Sequence, residues 1–393
     1  MKAVVGPLVL LTLAEMGGAV GLFAVPVFAP AVAAELGVDP NWIGVFTGLA
    51  FMAAMIGSAL GASLIDRHGP IRVTQFGLVL MAATFVILTS AWLPAFALGG
   101  LCVGMAYGQL PAAASQVLAA VSPPRAIGIV FSFKQTGNPV GGVLAGAVVP
   151  ALVVGFGWQI ACLAVAILCL GLAASLQPLR ATFDRDRHRD RRLTLSGVAE
   201  PWRLVLRNPK LRPFGVAGVP FTSLQTCITS YLVVYLVQDL AYDLVTAGLV
   251  LAVAQGAGMA CRLGLGALSG TVVDGRRLFG WTGLVMSAAA ASLAIVTPDW
   301  PLAMVLALAA FLGGAGTGWG GIFMGELARR APPGEAGRAT GGGSSLGFAG
   351  GIAGPMALGA LVWATGSYGL GFLVLAMVTL GPSLVLSRPV PKE

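Results

Sequence analysis

Gly61-Ala62-Ser63-Leu64-Ile65-Asp66-Arg67-His68-Gly69-Pro70-Ile71-Arg72 is a cluster of charge in an otherwise neutral stretch: residues 40–65 carry no Asp, Glu, Lys, Arg or His, and none follows Arg72 until Arg125. A helix needs about 20 apolar residues to cross a hydrocarbon core of ~30 Å. Both flanking runs are long enough, and the charges fall where a loop would leave the membrane.

The same reading extends over all 393 residues, of which 57% are hydrophobic and 10% charged, with 56 glycines and 24 prolines. A soluble domain carries about 25% charged residues. This composition excludes a soluble enzyme and makes a bilayer the natural solvent. Apolar stretches separated by breakers predict twelve spans at 4–30, 41–65, 71–93, 94–120, 126–154, 157–176, 213–238, 243–270, 278–297, 301–328, 338–365 and 368–387. Lys2 ahead of the first span and Ala31-Val32-Ala33 after it imitate a secretory signal. The run is too long for one and contains Glu15, so an uncleaved helix is expected.

Charge gives the orientation. All of the 23 Lys and Arg except Lys134 and Arg262 fall in alternate loops on one side, while the opposite loops hold only Glu35, Asp39, Asp239, Asp243 and Asp299. The positive-inside rule then places both termini in the cytoplasm of a bacterial inner-membrane, multi-pass protein. The net charge of +8 is accounted for by topology, and nucleic acid is not needed as a partner. Cys102, Cys162, Cys169, Cys227 and Cys261 lie in apolar segments without a Cys-x-x-Cys pair, and His68 and His188 lie in charged loops. No metal, cofactor or disulfide is expected from that spacing. Neither a phosphate-binding Gly-x-x-x-x-Gly-Lys loop nor a nucleophile with a histidine base occurs in the spans, so no enzyme is expected.

Residues 177–212 form one polar linker, dividing the chain into six-span halves at 1–176 and 213–393. Arg125-Ala126-x-Gly128 and Arg338-Ala339-x-Gly341 open spans 5 and 11 at an offset at which Ser132 also matches Ser345 and Gly137 matches Gly350. Duplicated halves mark many secondary transporters, whose substrates bind near the midplane.

The loop quoted at the start resembles the signature loop of the major facilitator superfamily, and Gly270-Thr271-Val272-Val273-Asp274-Gly275-Arg276-Arg277 echoes it. The resemblance implies an all-α fold of twelve transmembrane helices in two pseudo-symmetric six-helix bundles. It also implies a cytoplasmic gate carried by Asp66, Arg67, Arg72, Asp274 and Arg276, where carboxylates can cap helix N-termini or pair with arginines in one conformation. Ala62 stands where the family usually has its first glycine, and Gly100 where span 4 often has arginine. Lys134-Gln135-Thr136-Gly137 resembles bacterial permeases for cyanate and organic acids, while the glycine-proline tail of span 5 resembles proton-coupled drug exporters.

Two cations remain inside the spans, Lys134 and Arg262, and Glu15 is the acid placed furthest from any loop. A charge at the bilayer centre costs roughly 3 kcal/mol even on a lenient scale and normally faces a polar interior with a partner. Counted along their helices from the nearest loop charge, all three reach similar depth. Gln135 and Asn138 lie near Lys134, Gln255 shares a helix face with Arg262, and Gln109 and Gln116 are on span 4, with Gln225 on span 7 and Trp319 on span 10 as further lining groups. A mid-span arginine on span 8 resembles the carboxylate anchor of monocarboxylate and oxalate:formate transporters. With Glu15 ionised the three charges sum to +1, which a monoanion neutralises; protonated, they sum to +2. The expectation is a secondary active transporter of a small organic, carboxylate-type, or inorganic anion. It works by alternating access as a proton-coupled symporter and a monomer, with Glu15 as the proton site and Arg262, Lys134, Asn138, Gln135, Gln255 and Gln109 around the substrate. The alternatives are a proton-antiporting drug or metabolite exporter and a channel or sensor on a transporter fold. Glu15 can also serve as an interhelical tie to Lys134 or Arg262.

Overall fold

The computed structural model describes residues 2–123, 127–185, 199–269 and 273–388. Among them there is no strand beyond a single bridge from Ser269 to Val273; the rest is overwhelmingly helix. In hydrocarbon an unpaired backbone group costs several kcal/mol, and a helix pairs its own. The helices are α1 (Lys2–Leu36), α2 (Ile43–His68), α3 (Pro70–Leu88), α4 (Leu93–Val121), α5 (Ile127–Lys134), α6 (Gly137–Phe156), α7 (Trp158–Ser175) and α8 (Gln177–Phe183). They continue as α9 (Ala199–Arg207), α10 (Arg212–Gln238), α11 (Leu244–Leu268), α12 (Gly275–Ser292), α13 (Leu302–Gly318), α14 (Gly320–Arg330), α15 (Ala336–Thr365) and α16 (Tyr368–Ser387).

Among the described residues twelve helical stretches are long and apolar enough to cross a bilayer, with α5–α6 and α13–α14 each forming one of them. This is the expected all-α, twelve-helix fold. Two details differ from the sequence reading. First, α1 runs to Leu36, well past the expected end at residue 30, because Pro26 and Pro30 do not stop it; neighbouring helices make prolines tolerable inside membrane helices. Second, spans 5 and 10 are interrupted, at Gln135–Thr136 and at Trp319. Arg125, Ala126, His188, the arginines at 187, 189, 191 and 192, and residues 270–272 of the second signature loop lie outside the described residues.

The chain divides into two compact units, unit 1 formed by Met1–Pro40 and Leu49–Ser196, unit 2 by Asn41–Gly48 and Gly197–Glu393. In unit 1, α1 packs against α6, α4 and α7, and α3 against α4 and α7. In unit 2, α10 packs on α15, α11 on α13 and α12 on α16. Residues 41–48 join unit 2 through polar contacts: Thr47 donates to Ser230 Oγ at 3.0 Å, and the Tyr231 hydroxyl lies 3.2 Å from Asn41 O and 3.1 Å from Pro355 O. Asp243 and Ser367 cap the N-termini of α11 and α16 with their side chains, supplying acceptors that those first turns lack.

Candidate functional site

In unit 1 the site begins with a close approach of two helices. A side-chain carbon at Gly137 would lie 2.7 Å from Thr12 O and 3.2 Å from Glu15 Cβ, and one at Gly141 would lie 2.5 Å from Met16 O. Glycines four residues apart therefore let α6 lie on the backbone of α1, the packing that small residues permit in membranes. One turn earlier α5 ends at Lys134, so the interruption of span 5 delivers the ammonium to Glu15. Lys134 Nζ stands 2.8 Å from Glu15 Oε1, with the two side chains 3% and 6% exposed. The ammonium also donates to Pro111 O and Ser115 Oγ, both at 3.1 Å, while the Ser115 hydroxyl donates to Pro111 O at 2.6 Å. The ammonium thus makes two hydrogen bonds and one ion pair inside the unit.

The companions divide. Asn138 Nδ2 donates to the Tyr107 hydroxyl. Gln109 is buried and turns its amide back to Met105 O, 2.9 Å away on its own helix, and Gln135 is exposed.

In unit 2 the corresponding feature is Arg262 on α11, half-buried beside the interruption of span 10. Its Nη2 donates to Thr317 O at 2.8 Å, the carbonyl two residues before Trp319. On the far side of the break Gly320 lies against the guanidinium, where a side-chain carbon would be 3.6 Å from Nη2, and Gly321 lies against the Arg262 backbone oxygen and Cγ. Trp319 is held by its indole N–H on Gly316 O at 3.0 Å and by edge contacts to Phe221 and Phe323 at 5.5 and 5.2 Å. Gln255, two turns earlier on α11, is buried. An arginine, two glycines and a broken helix at mid-span make a place where polar backbone and fixed charge coexist in an apolar setting.

A sequence model described as the Major Facilitator Superfamily matches residues 11–355. The chain belongs to that superfamily. It is accordingly a multi-pass membrane transporter, a secondary transporter by family. The structure is similar to that of a substituted form of the nucleoside transporter NupG, at 16% identity over 97% of this chain and 98% of that one, with a TM-score of 0.76. A bacterial homologue of the human lysosomal transporter Spinster aligns at 16% identity over 96% and 93%, TM-score 0.70. A POT family transporter in complex with 5-aminolevulinic acid aligns at 14% over 98% and 95%, TM-score 0.77. At such identities the likeness is one of fold. No curated protein matches the chain significantly.

For a member of this superfamily the signature-loop residues are of interest, and each unit shows its own arrangement. The N-terminus of α3 is capped by Asp184, whose carboxylate accepts from Ile71 N at 2.9 Å and Arg72 N at 3.1 Å. Gly69, at φ 93, precedes it in a conformation glycine favours, and a side chain there would collide with that carboxylate. Asp66 is half-buried at the end of α2 and Arg67 is exposed. In unit 2, Asp274 caps its own helix, accepting from Arg277 N at 3.0 Å, and stands 4.0 Å from Arg330 Nη2. Arg276 instead donates to Val385 O at 3.0 Å and Arg388 O at 3.2 Å, at the end of α16. Buried Glu326 pairs with Arg329 and with Arg330, the latter at 2.7 Å.

Sequence reasoning missed Ser115, Tyr107, Thr317, Asp184 and Glu326. Glu326 was within reach: Glu326-Leu327-Ala328-Arg329-Arg330 places two cations three and four residues on, the spacing at which helical side chains meet.

Proposed function

We propose that this transporter carries a small carboxylate-type anion together with a proton across the cytoplasmic membrane, by alternating access and with both termini in the cytoplasm. The observation that carries the reading is Arg262 at the break in span 10. A guanidinium beside Thr317 O and Gly320 of the broken span has the planar fork that grips a carboxylate with two parallel hydrogen bonds. In a low dielectric that attraction is far stronger than in water.

Glu15 and Lys134 supply the coupling. Ionised, the pair is neutral, and Lys134 has a carboxylate, a carbonyl and a hydroxyl around its ammonium. A proton on Glu15 removes the countercharge and leaves a buried ammonium held only by a carbonyl and a hydroxyl. That arrangement is costly alone and is relieved when an anion enters the protein. Proton and anion therefore favour one another's binding, which is the thermodynamic requirement for symport. Asn138, Gln135, Gln255 and Gln109 belong to the same proposal as accessory polar groups.

Uptake of a radiolabelled carboxylate panel into proteoliposomes tests the reading. Saturable accumulation under an inward proton gradient, weakened in Arg262→Lys, is expected. Absence of carboxylate uptake, with extrusion of cationic dyes instead, would replace it by an exporter.

A further inference from the structure

Outside the charged sites, unit 2 carries an apolar groove of about 720 Å3 at the start of α10 and the end of α16. Its walls include Leu206 of α9, Val216 and Pro220 of α10, and Val378, Pro382 and Val385 of α16. Beside the groove Thr379 Oγ1 of α16 lies 3.5 Å from Pro220 O of α10. Val216, Val378 and Val385 are each more than half exposed, so the walls present hydrocarbon outwards.

The end of this groove is cationic. Arg212, the first residue of α10, lines it and is exposed. Arg276 reaches the carbonyl of the lining residue Val385 as well as that of Arg388. Both partners are carbonyls, and neither Arg212 nor Arg276 forms a salt bridge with a carboxylate among the described residues. An apolar trough ending in two arginines without countercharge is complementary to a molecule with an acyl tail and an anionic head. Basic pockets at the ends of membrane helices recognise acidic lipid headgroups in this manner.

We propose that the groove is a binding site for an anionic phospholipid, one acyl chain lying along α10 and α16 and the phosphate held by Arg212 and Arg276. Guanidinium groups suit the phosphate because they bind it bidentately. A zwitterionic lipid of the same chains would fill the trough but bring a cation towards the two arginines.

The test is the melting temperature of the purified full chain in detergent, with added phosphatidylglycerol, phosphatidylcholine of identical acyl chains, or inorganic phosphate. A ligand bound only by the folded protein raises that temperature. Phosphatidylglycerol is expected to raise it clearly more than phosphatidylcholine, and phosphate alone to leave it unchanged. Arg212→Gln should melt like the parent without lipid yet lose most of the preference for the anionic lipid. Val378→Trp, which fills the trough, should lose the response to both lipids. Equal responses to the two lipids, a preference that survives both substitutions, or a rise reproduced by phosphate alone would overturn the proposal.

Discussion

Glu15–Lys134 and Arg262 look alike in the sequence, as ionisable side chains at equal depth in apolar spans, but their surroundings differ. The ammonium of Lys134 is fully enclosed by a carboxylate, a carbonyl and a hydroxyl, and α1 and α6 touch to bring them together. Arg262 lies in a looser setting, half-buried beside a broken helix and two glycines, with a backbone carbonyl on one arm. In the proposed reading the first arrangement responds to loss or gain of a single proton, and the second presents a guanidinium to a carboxylate. The surroundings of a charge inside a membrane protein thus differ in ways that depth alone does not reveal.

The contrast can be broken most forcefully in unit 1. Removing one partner of a buried ion pair typically costs about 3–5 kcal/mol. Glu15→Leu should therefore destabilise the protein on that scale in chemical denaturation, whereas the double variant with Lys134→Met should recover most of the loss. Additive losses in that cycle would show that the two side chains are not coupled. Gly137→Val tests the close approach that makes the pair possible. Forcing extra carbon into a tight contact costs about 1–3 kcal/mol, and the same variant should impair proton-driven uptake.

Arg262 should behave differently. Arg262→Lys can still reach Thr317 O, so stability should change little. Loss of the bidentate fork should raise the apparent KM for a carboxylate by about tenfold, equivalent to about 1.4 kcal/mol. Unaltered affinity would remove the anchor from the account. The smallest expected effect lies at a loop. Asp243→Ala removes the cap of α11 and should cost about 1 kcal/mol. Hydrogen bonds from Thr246 and Val245 hold the Asp243 carboxyl below its ordinary range. A group with a lowered folded pKa stabilises above its unfolded pKa and loses that contribution as pH falls through the folded one. The difference between Asp243→Ala and the parent should therefore shrink under acid conditions, below the ordinary aspartate range.

The fold was legible because spans stand out as long apolar runs, wholly uncharged at residues 40–65 and 73–124, and because the arginines mark alternate loops. The interruptions at Gln135–Thr136 and Trp319 were not, since glycine and threonine beside a break also occur in unbroken helix, as at Thr340–Gly343 in α15. The pairing of Glu15 was left open between Lys134 and Arg262, because counting residues along a helix gives a height and no direction around the axis. Asp184 could not be singled out: it opens the charged run at residues 184–192, and only the folded chain returns it to Ile71 and Arg72. A cap supplied from more than a hundred residues away leaves no local spacing to read.

The coupling claim is tested most directly in proteoliposomes containing Glu15→Gln, with one labelled carboxylate measured in two modes. The account predicts that exchange against the same carboxylate inside continues, while accumulation driven by an inward proton gradient is lost. Accumulation at the parent's level in that variant would contradict it and leave Glu15 as a tie between helices.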